Sequence, residues 1–265
     1  MARTGARNSS AIAVAAVLAL LLVVGALWTL VFVDFRAAAE GGGASASRSA
    51  SPSPSSSSPT QAKGEWTLGD ARTAFARDDS HTLVLGDSTG NATDEWVHQW
   101  AQSEELPVAS WQTESESGYD VDFEETRVWS GAMFEATADY PAEHWDEIWP
   151  PEDPDLVMLN YGHFQDSPEE ATQALEELRA DIAERAPKAP IVVILQNPQA
   201  EDANAPTREA IAEWAKDKGL PTIDIAQAFE ESELLPEDLR LDNLNPSWAG
   251  SQLWAQTVSE ALAPR

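Results

Sequence analysis

Ser88 is the residue with the plainest chemical potential. It stands in Gly86-Asp87-Ser88-Thr89-Gly90, directly after the apolar run Leu83-Val84-Leu85. These five residues fit the Gly-x-Ser-x-Gly pattern that places a serine on a sharp strand-to-helix turn. A hydroxyl there projects from the backbone, and the N–H groups opening the next helix point at any anion formed nearby. Such a serine suits attack on an acyl carbonyl, which needs a base for its proton and donors for the developing oxyanion. The chain has four histidines, His81, His98, His144 and His163. His163 is either a substitute base for Ser88 or a loop residue hydrogen-bonded beside the site, while His81, His98 and His144 read as surface or capping residues. The absence of cysteine excludes disulfides, thiolate metal sites and cysteine nucleophiles. Asp120-Val-Asp122-Phe-Glu124 and Glu152-Asp-Pro-Asp155 could hold calcium through carboxylates, but the glycine of an EF-hand loop is missing, so solvated acidic loops are expected. No zinc pattern is present, and no cofactor is expected. Trp129, Trp145, Trp149 and Trp248 are either an aromatic platform beside a cleft or core packing.

The elements that must position Ser88 follow from hydrophobic patterning. His81–Leu85, Pro107–Trp111, Asp155–Tyr161, Ile191–Leu195 and Pro221–Ile225 read as five short strands. Between them lie helical stretches. Trp96, Val97, Trp100 and Ala101 share one helical face. Ser167-Pro168-Glu169-Glu170 opens a helix with an N-cap serine, proline in the first turn and acids at its positive end, and that helix runs to about Ala186. Residues 206–218 and Pro246–Leu262 complete the set. Strands alternating with helices predict an α/β domain, a flavodoxin-like parallel sheet of about five strands with helices on both faces. Active sites in such sheets sit at the carboxyl ends of the strands.

Three further segments carry informative residues: Val128-Trp129-Ser130-Gly131-Ala132 in a loop after the second strand, Leu159-Asn160-Tyr161-Gly162-His163-Phe164-Gln165-Asp166 at the end of the third, and Asp242-Asn243-Leu244-Asn245-Pro246 opening the final helix. The order Ser, acid, late His of the α/β-hydrolases fits poorly, since no histidine follows His163. With Gly86-Asp87-Ser88 closing the first strand, the four segments resemble the SGNH (GDSL-type) hydrolases over about 80–265. The resemblance implies Ser88 as nucleophile and Asp242 as the acid that orients a base. It implies an oxyanion hole from the Ser88 N–H, a glycine N–H in a loop after the second strand, here Gly131, and an asparagine amide. The histidine position holds Asn245 and the asparagine position Phe164, with Gln165 next to it as a replacement amide. Loss of one oxyanion donor costs about 10²–10³ in rate, and loss of a triad histidine on the order of 10⁶. Two expectations stay open. One is a serine esterase acting on a small acyl ester, glycan or lipid. The other is an inactive domain of that fold that binds an acylated or glycan ligand or a protein partner.

The rest of the 265 residues sets the surroundings. Residues 1–10 are polar, with Arg3 and Arg7, and 11–33 carry no charge. A span of about 20 apolar residues crosses a bilayer, so 11–33 reads as a membrane anchor, with a cleaved signal peptide as the alternative. The arginines ahead of it place the N-terminus in the cytoplasm and the domain outside the cell. Residues 34–64, rich in Ser, Pro and Gly, cannot bury a core and read as a disordered tether. The domain, 65–265, retains 11 of the 16 basic and 43 of the 45 acidic residues, a net charge of −32. Such a domain repels nucleic acid and anionic lipid alike.

Overall fold

The computed structural model describes residues 66–112, 118–119 and 125–264. The segment 11–33, the tether and the acidic stretch 120–124 lie outside the described residues. Among the described residues no helix is long and apolar enough to cross a membrane.

The chain forms, in order, α1 (Leu68–Phe75), β1 (Thr82–Gly86), α2 (Trp96–Ser103), β2 (Val108–Gln112), β3 (Gly118–Tyr119), β4 (Val128–Ala132), α3 (Tyr140–Ile148), β5 (Leu156–Asn160), α4 (Pro168–Arg185), β6 (Ile191–Leu195), a 3₁₀ turn (Ala200–Asp202), α5 (Ala205–Asp217), β7 (Thr222–Asp224), α6 (Ile225–Glu230), α7 (Pro236–Leu239) and α8 (Trp248–Leu262). The strands make one sheet in the order β3-β2-β4-β1-β5-β6-β7. Six are parallel, and β3 is a short antiparallel edge on β2. Parallel neighbours need crossovers, and the helices supply them on both faces.

Side chains alternate across the strands, so each strand feeds two cores. Leu83, Leu85, Trp129, Val157, Leu159 and Val193 pack with Ile148, Leu175, Ile182 and Trp214 of α3–α5. Val84, Met158, Val192 and Ile194 pack on the other face with Ala71, Trp96, Trp100, Trp254 and Val258 of α1, α2 and α8. Trp96 and Trp254 stack with centroids 5.4 Å apart, which ties α2, the helix after Ser88, to the last helix.

All five expected strands and the main helices are present, and two strands were not foreseen. Val128–Ala132 is a strand rather than a loop. Its Ser130 and Gly131 broke the apolar alternation that marks a strand. β4 inserts between β1 and β2, in register with Leu85 opposite Gly131. The glycine is needed there for space, since a Cβ would fall 2.9 Å from both Leu85 Cδ2 and Ile148 Cγ1. The histidines also depart from expectation. His81 is buried, with Nδ1 accepting a hydrogen bond from Trp129 Nε1 at 3.3 Å. His98 is half-buried against Ser110, and His144 stacks on Tyr140. Trp129 and Trp145 are core residues, Trp149 is half-buried, and Trp248 is exposed.

The final helix starts at Trp248, with Ser247 as its N-cap accepting from Gly250 N–H. The loop before it is closed at its base by an antiparallel bridge between Arg240 and Pro246. Leu241 N–H donates to Asn245 O at 2.9 Å, and Ser247 N–H to Leu239 O at 2.9 Å. Gly250 fits under this loop because it has no side chain. A Cβ there would lie 2.1 Å from the carbonyl oxygen of Leu239, and backbone cannot swing away as a side chain can. Gly250→Ala is therefore expected to cost about 1–3 kcal/mol, a fall in Tm of at least ~2–4 °C for a domain of this size. Thermal unfolding followed by circular dichroism reads this directly, and an unchanged Tm would contradict it.

Candidate active site

β1 pairs with β4 on one side and β5 on the other. Its carboxyl end is therefore the point where the chain turns to opposite sides of the sheet, the usual place for a ligand crevice in open α/β sheets. Asp87 and Ser88 emerge there, both buried. The Asp87 carboxylate accepts hydrogen bonds from Thr89 N–H at 3.1 Å and Thr89 Oγ1 at 2.8 Å on one oxygen. The other oxygen accepts from Gln196 Nε2 at 2.8 Å. Gln196 Nε2 also lies 3.1 Å from Asn160 Oδ1, and Asn160 Nδ2 donates to Thr89 Oγ1 at 2.9 Å. The serine turn is thus bolted to the ends of β5 and β6 by a closed ring of buried polar groups.

Ser88 Oγ accepts a hydrogen bond from the backbone N–H of Glu135 at 2.7 Å. Glu135 lies in the loop after β4 at φ 54°, a left-handed conformation that favours glycine. The position proposed for an oxyanion glycine was Gly131. Gly131 instead lies inside β4, buried between strands, and the loop N–H that reaches the serine is four residues later. Sequence reasoning missed Glu135 because a glutamate carries no sign of a glycine-like backbone. Asp87, Thr89, Asn160 and Gln196 were also missed as site residues, although Asn160 and Gln196 each stand at a strand's carboxyl end or just past it, where such a signal could have been sought.

His163 is fully enclosed as a side chain. Its Nε2 lies 3.1 Å from the carbonyl oxygen of Asn197, an acceptor only, so Nε2 carries the proton. Its Nδ1 faces Asp87 Oδ2 at 3.9 Å and makes no hydrogen bond. Burial pushes the imidazole pKa down, against the opposing pull of Asp87. Both ring nitrogens are thus directed at groups other than Ser88 Oγ. Phe164 and Gln165, next along, are half-buried, and both polar atoms of the Gln165 side chain are enclosed without a partner.

Asp242 sits at the tip of the loop before α8. One oxygen accepts from Leu244 N–H at 2.8 Å and Asn245 N–H at 2.7 Å. The other accepts from Asn245 Nδ2 at 3.0 Å. Burial raises the pKa of this carboxyl, but the three donors outweigh it and the net shift is downward. Asn245 Oδ1 is buried and has no partner. The loop joins the rest of the site through Asn197, whose Nδ2 donates to Leu244 O at 3.1 Å while its carbonyl meets His163. Among the described residues, hydrogen bonds tie Ser88 to Glu135, and Asp242 to Asn245, without linking the two pairs directly. No group of His, Asp or Glu suited to a metal ion occurs among the described residues.

Solved structures share this arrangement of strands and helices. The lipase/acylhydrolase from Enterococcus faecalis aligns with a TM-score of 0.51 at 17% identity, over 68% of this chain and 94% of that one. A catalytic mutant of the acetylxylan esterase Axe2 from Geobacillus stearothermophilus aligns at 0.52 and 17%, over 70% and 95%. A two-domain esterase active on acetylated mannans aligns at 0.54 and 15%, over 72% of this chain and 50% of that one. The fold is therefore that of the SGNH/GDSL hydrolases. Residues 79–253 match the GDSL-like lipase/acylhydrolase family, and the chain belongs to it. No curated protein matches the sequence.

The left-handed backbone at Glu135 generates a prediction. A non-glycine residue there carries a strain on the order of 1–2 kcal/mol. Glu135→Gly keeps the N–H that meets Ser88 and removes the strain, less the entropy glycine adds to the unfolded chain. It should raise Tm by about 2–4 °C, and a lower Tm would show that the glutamate side chain holds the loop.

Proposed function

We propose that the domain is an acyl-ester hydrolase working through Ser88, held outside the cell on a membrane tether and acting on small acyl groups, acetyl foremost, of neutral envelope glycans. The observation that carries this reading is the Glu135 N–H at 2.7 Å from Ser88 Oγ. In an acyl-transfer intermediate the negative charge develops on the substrate's carbonyl oxygen, bonded to the carbon that Oγ attacks, and this loop N–H, released from Oγ, would stand within reach of it as a donor. Ser88 Oγ would bond to the acyl carbon, the alcohol would leave with a proton, and water would then release the acid from the acyl-serine. Esterases of this fold that act on acetylated xylan and acetylated mannans support the substrate class. The net charge of −32 on residues 65–265 favours a neutral polymer over an anionic one. Exposed Phe134, beside Glu135, and exposed Trp248, three residues after Asn245, offer apolar surface next to the two halves of the site.

Turnover by this site is slow. Asn245 already makes, through Nδ2, the hydrogen bond to Asp242 that the ring N–H of a histidine would make in the family, yet an amide oxygen takes up no proton near neutral pH. The serine proton must pass to water, and the rate loss is of the order associated with a missing triad histidine, about 10⁶. The same substitution favours a second reading, a domain that binds acylated glycan without cleaving it.

Residues 65–265 are expected to hydrolyse p-nitrophenyl acetate weakly, with the Ser88-dependent part abolished in Ser88→Ala. Asn245→His combined with Phe164→Asn should raise turnover at least ~10²-fold, the scale of one recovered acid–base or oxyanion group. No rise in a folded double variant, together with retained binding of acetylated oligosaccharide by calorimetry, establishes the binding reading instead. Strong wild-type turnover lost in His163→Ala would make His163 the base.

The tether rests on the uncharged run 11–33 after Arg3 and Arg7. Protease added to right-side-out spheroplasts is expected to cut within 34–64 and release a folded domain. Full protection of the domain, or a mature N-terminus just after residue 33, would overturn it.

A further inference from the structure

The turn that carries Ser88 continues into α2 through Asn91 to Glu95. Glu95 occupies the N-cap position of that helix but makes no side-chain capping bond. A residue that turns its carboxylate elsewhere forgoes the stabilisation a capping side chain gives. The Glu95 carboxylate instead reaches back and accepts the N–H of Ala92 at 2.7 Å. The Asn91 side-chain amide, in the orientation that satisfies both neighbours, donates to the same oxygen at 3.2 Å and to the carbonyl oxygen of Ser88 at 3.0 Å. One NH₂ group thus bridges a glutamate to the backbone of the serine. This is a second support for the turn, separate from the Asp87 ring, and the esterase reading does not use it.

We propose that Glu95 is a positioning residue for Ser88: its carboxylate, acting through Asn91 and the Ala92 N–H, holds the turn that presents the serine, and loosens that hold when it takes up a proton.

The electrostatics agree with the geometry. Burial pushes the Glu95 carboxyl up, the N–H groups of Ala92 and Asn91 pull it down, and the negative charges of Asp94 and Asp87 push it up again, leaving it at about 7. Among the described residues, Asp94, which precedes it in the chain, and Asp87 of the serine turn are the charged groups that act on it, and neither is basic. A carboxylate that accepts two hydrogen bonds is a stronger acceptor than a neutral carboxyl, so the turn is tighter above this pH than below it.

The proposal rests on the esterase reading only in calling the effect functional; the coupling of Glu95 to Ser88 stands apart from any turnover. The test is therefore spectroscopic. Amide ¹H–¹⁵N shifts of residues 65–265 are followed from about pH 5 to 9, alongside the ¹³C shift of the Glu95 carboxyl. The expected result is that Ser88, Thr89 and Ala92 move together with the Glu95 carboxyl, with a midpoint near its value of about 7. In Glu95→Gln all three amides lose that titration. In Asn91→Ala the Glu95 carboxyl and Ala92 still titrate, while Ser88 and Thr89 do not. Should Glu95→Gln fail to fold, wild type and Asn91→Ala decide between the outcomes. A Glu95 carboxyl that titrates near the free value of about 4.3 overturns the proposal. So do flat Ser88 and Thr89 amides in wild type, or unaltered ones in Asn91→Ala. If the coupling is present and turnover of p-nitrophenyl acetate is nil, the positioning stands and the esterase reading fails.

Discussion

The carboxylate of Asp87 lies out of contact with solvent, and a buried carboxylate without donors is among the costliest groups a fold can hold. Its three donors come from the serine turn itself and from the end of β6. Asn160, at the end of β5, closes the ring by donating to Thr89 and receiving from Gln196. Each of these groups satisfies another, so the turn cannot move without stranding a polar atom in the core. Removal of one partner from such a ring costs about 1–3 kcal/mol. The turn that carries Ser88 is fixed by this constraint, and His163 packs with its Nδ1 facing the same carboxylate.

His163 packs beside the same carboxylate with neither ring nitrogen hydrogen-bonded to Ser88. Its Nε2 is committed to Asn197 and its Nδ1 is turned towards Asp87. Asn197 in turn holds Leu244, and with it the Asp242 loop. The histidine acts as a spacer between the serine turn and the last loop. The Asp242–Asn245 pair keeps the hydrogen-bond geometry of an acid orienting a base, with an amide where the base would be. On the esterase reading proposed above, what is retained is the scaffold and the serine with a neighbouring backbone N–H, and what is missing is the group that takes the proton.

Much of this was legible in the chain. The β-branched run Ile191–Leu195 and the apolar runs before Gly86 and Gly162 marked buried parallel strands, and the capping serine at 167 marked a helix start, because periodicity and capping are local properties. β4 was not legible, since its Ser130 and Gly131 are dictated by what packs on them, Leu85 and Ile148, and these are distant in sequence. Ser88, Asp242 and Asn245 could be singled out from motif spacing. Glu135 could not, because its contribution is a backbone N–H set by a left-handed φ, and neither property depends on the side chain that the sequence displays. Nor could Glu95, whose role depends on a carboxylate folding back over a turn instead of capping its helix.

The central claim is that Ser88 is a positioned nucleophile that lacks a base, and it is tested most directly by supplying one. In Asn245→Ala the space of the amide is opened beside Asp242. The rate at which a fluorophosphonate ester modifies Ser88 can be followed by intact mass with and without added imidazole. The account predicts a single slow adduct, located on Ser88 and absent in Ser88→Ala, whose formation imidazole accelerates in Asn245→Ala by at least ~10-fold, a modest share of the factor a positioned base supplies, and far less in wild type. An adduct on another residue, or a rate indifferent to imidazole in both proteins, would contradict it.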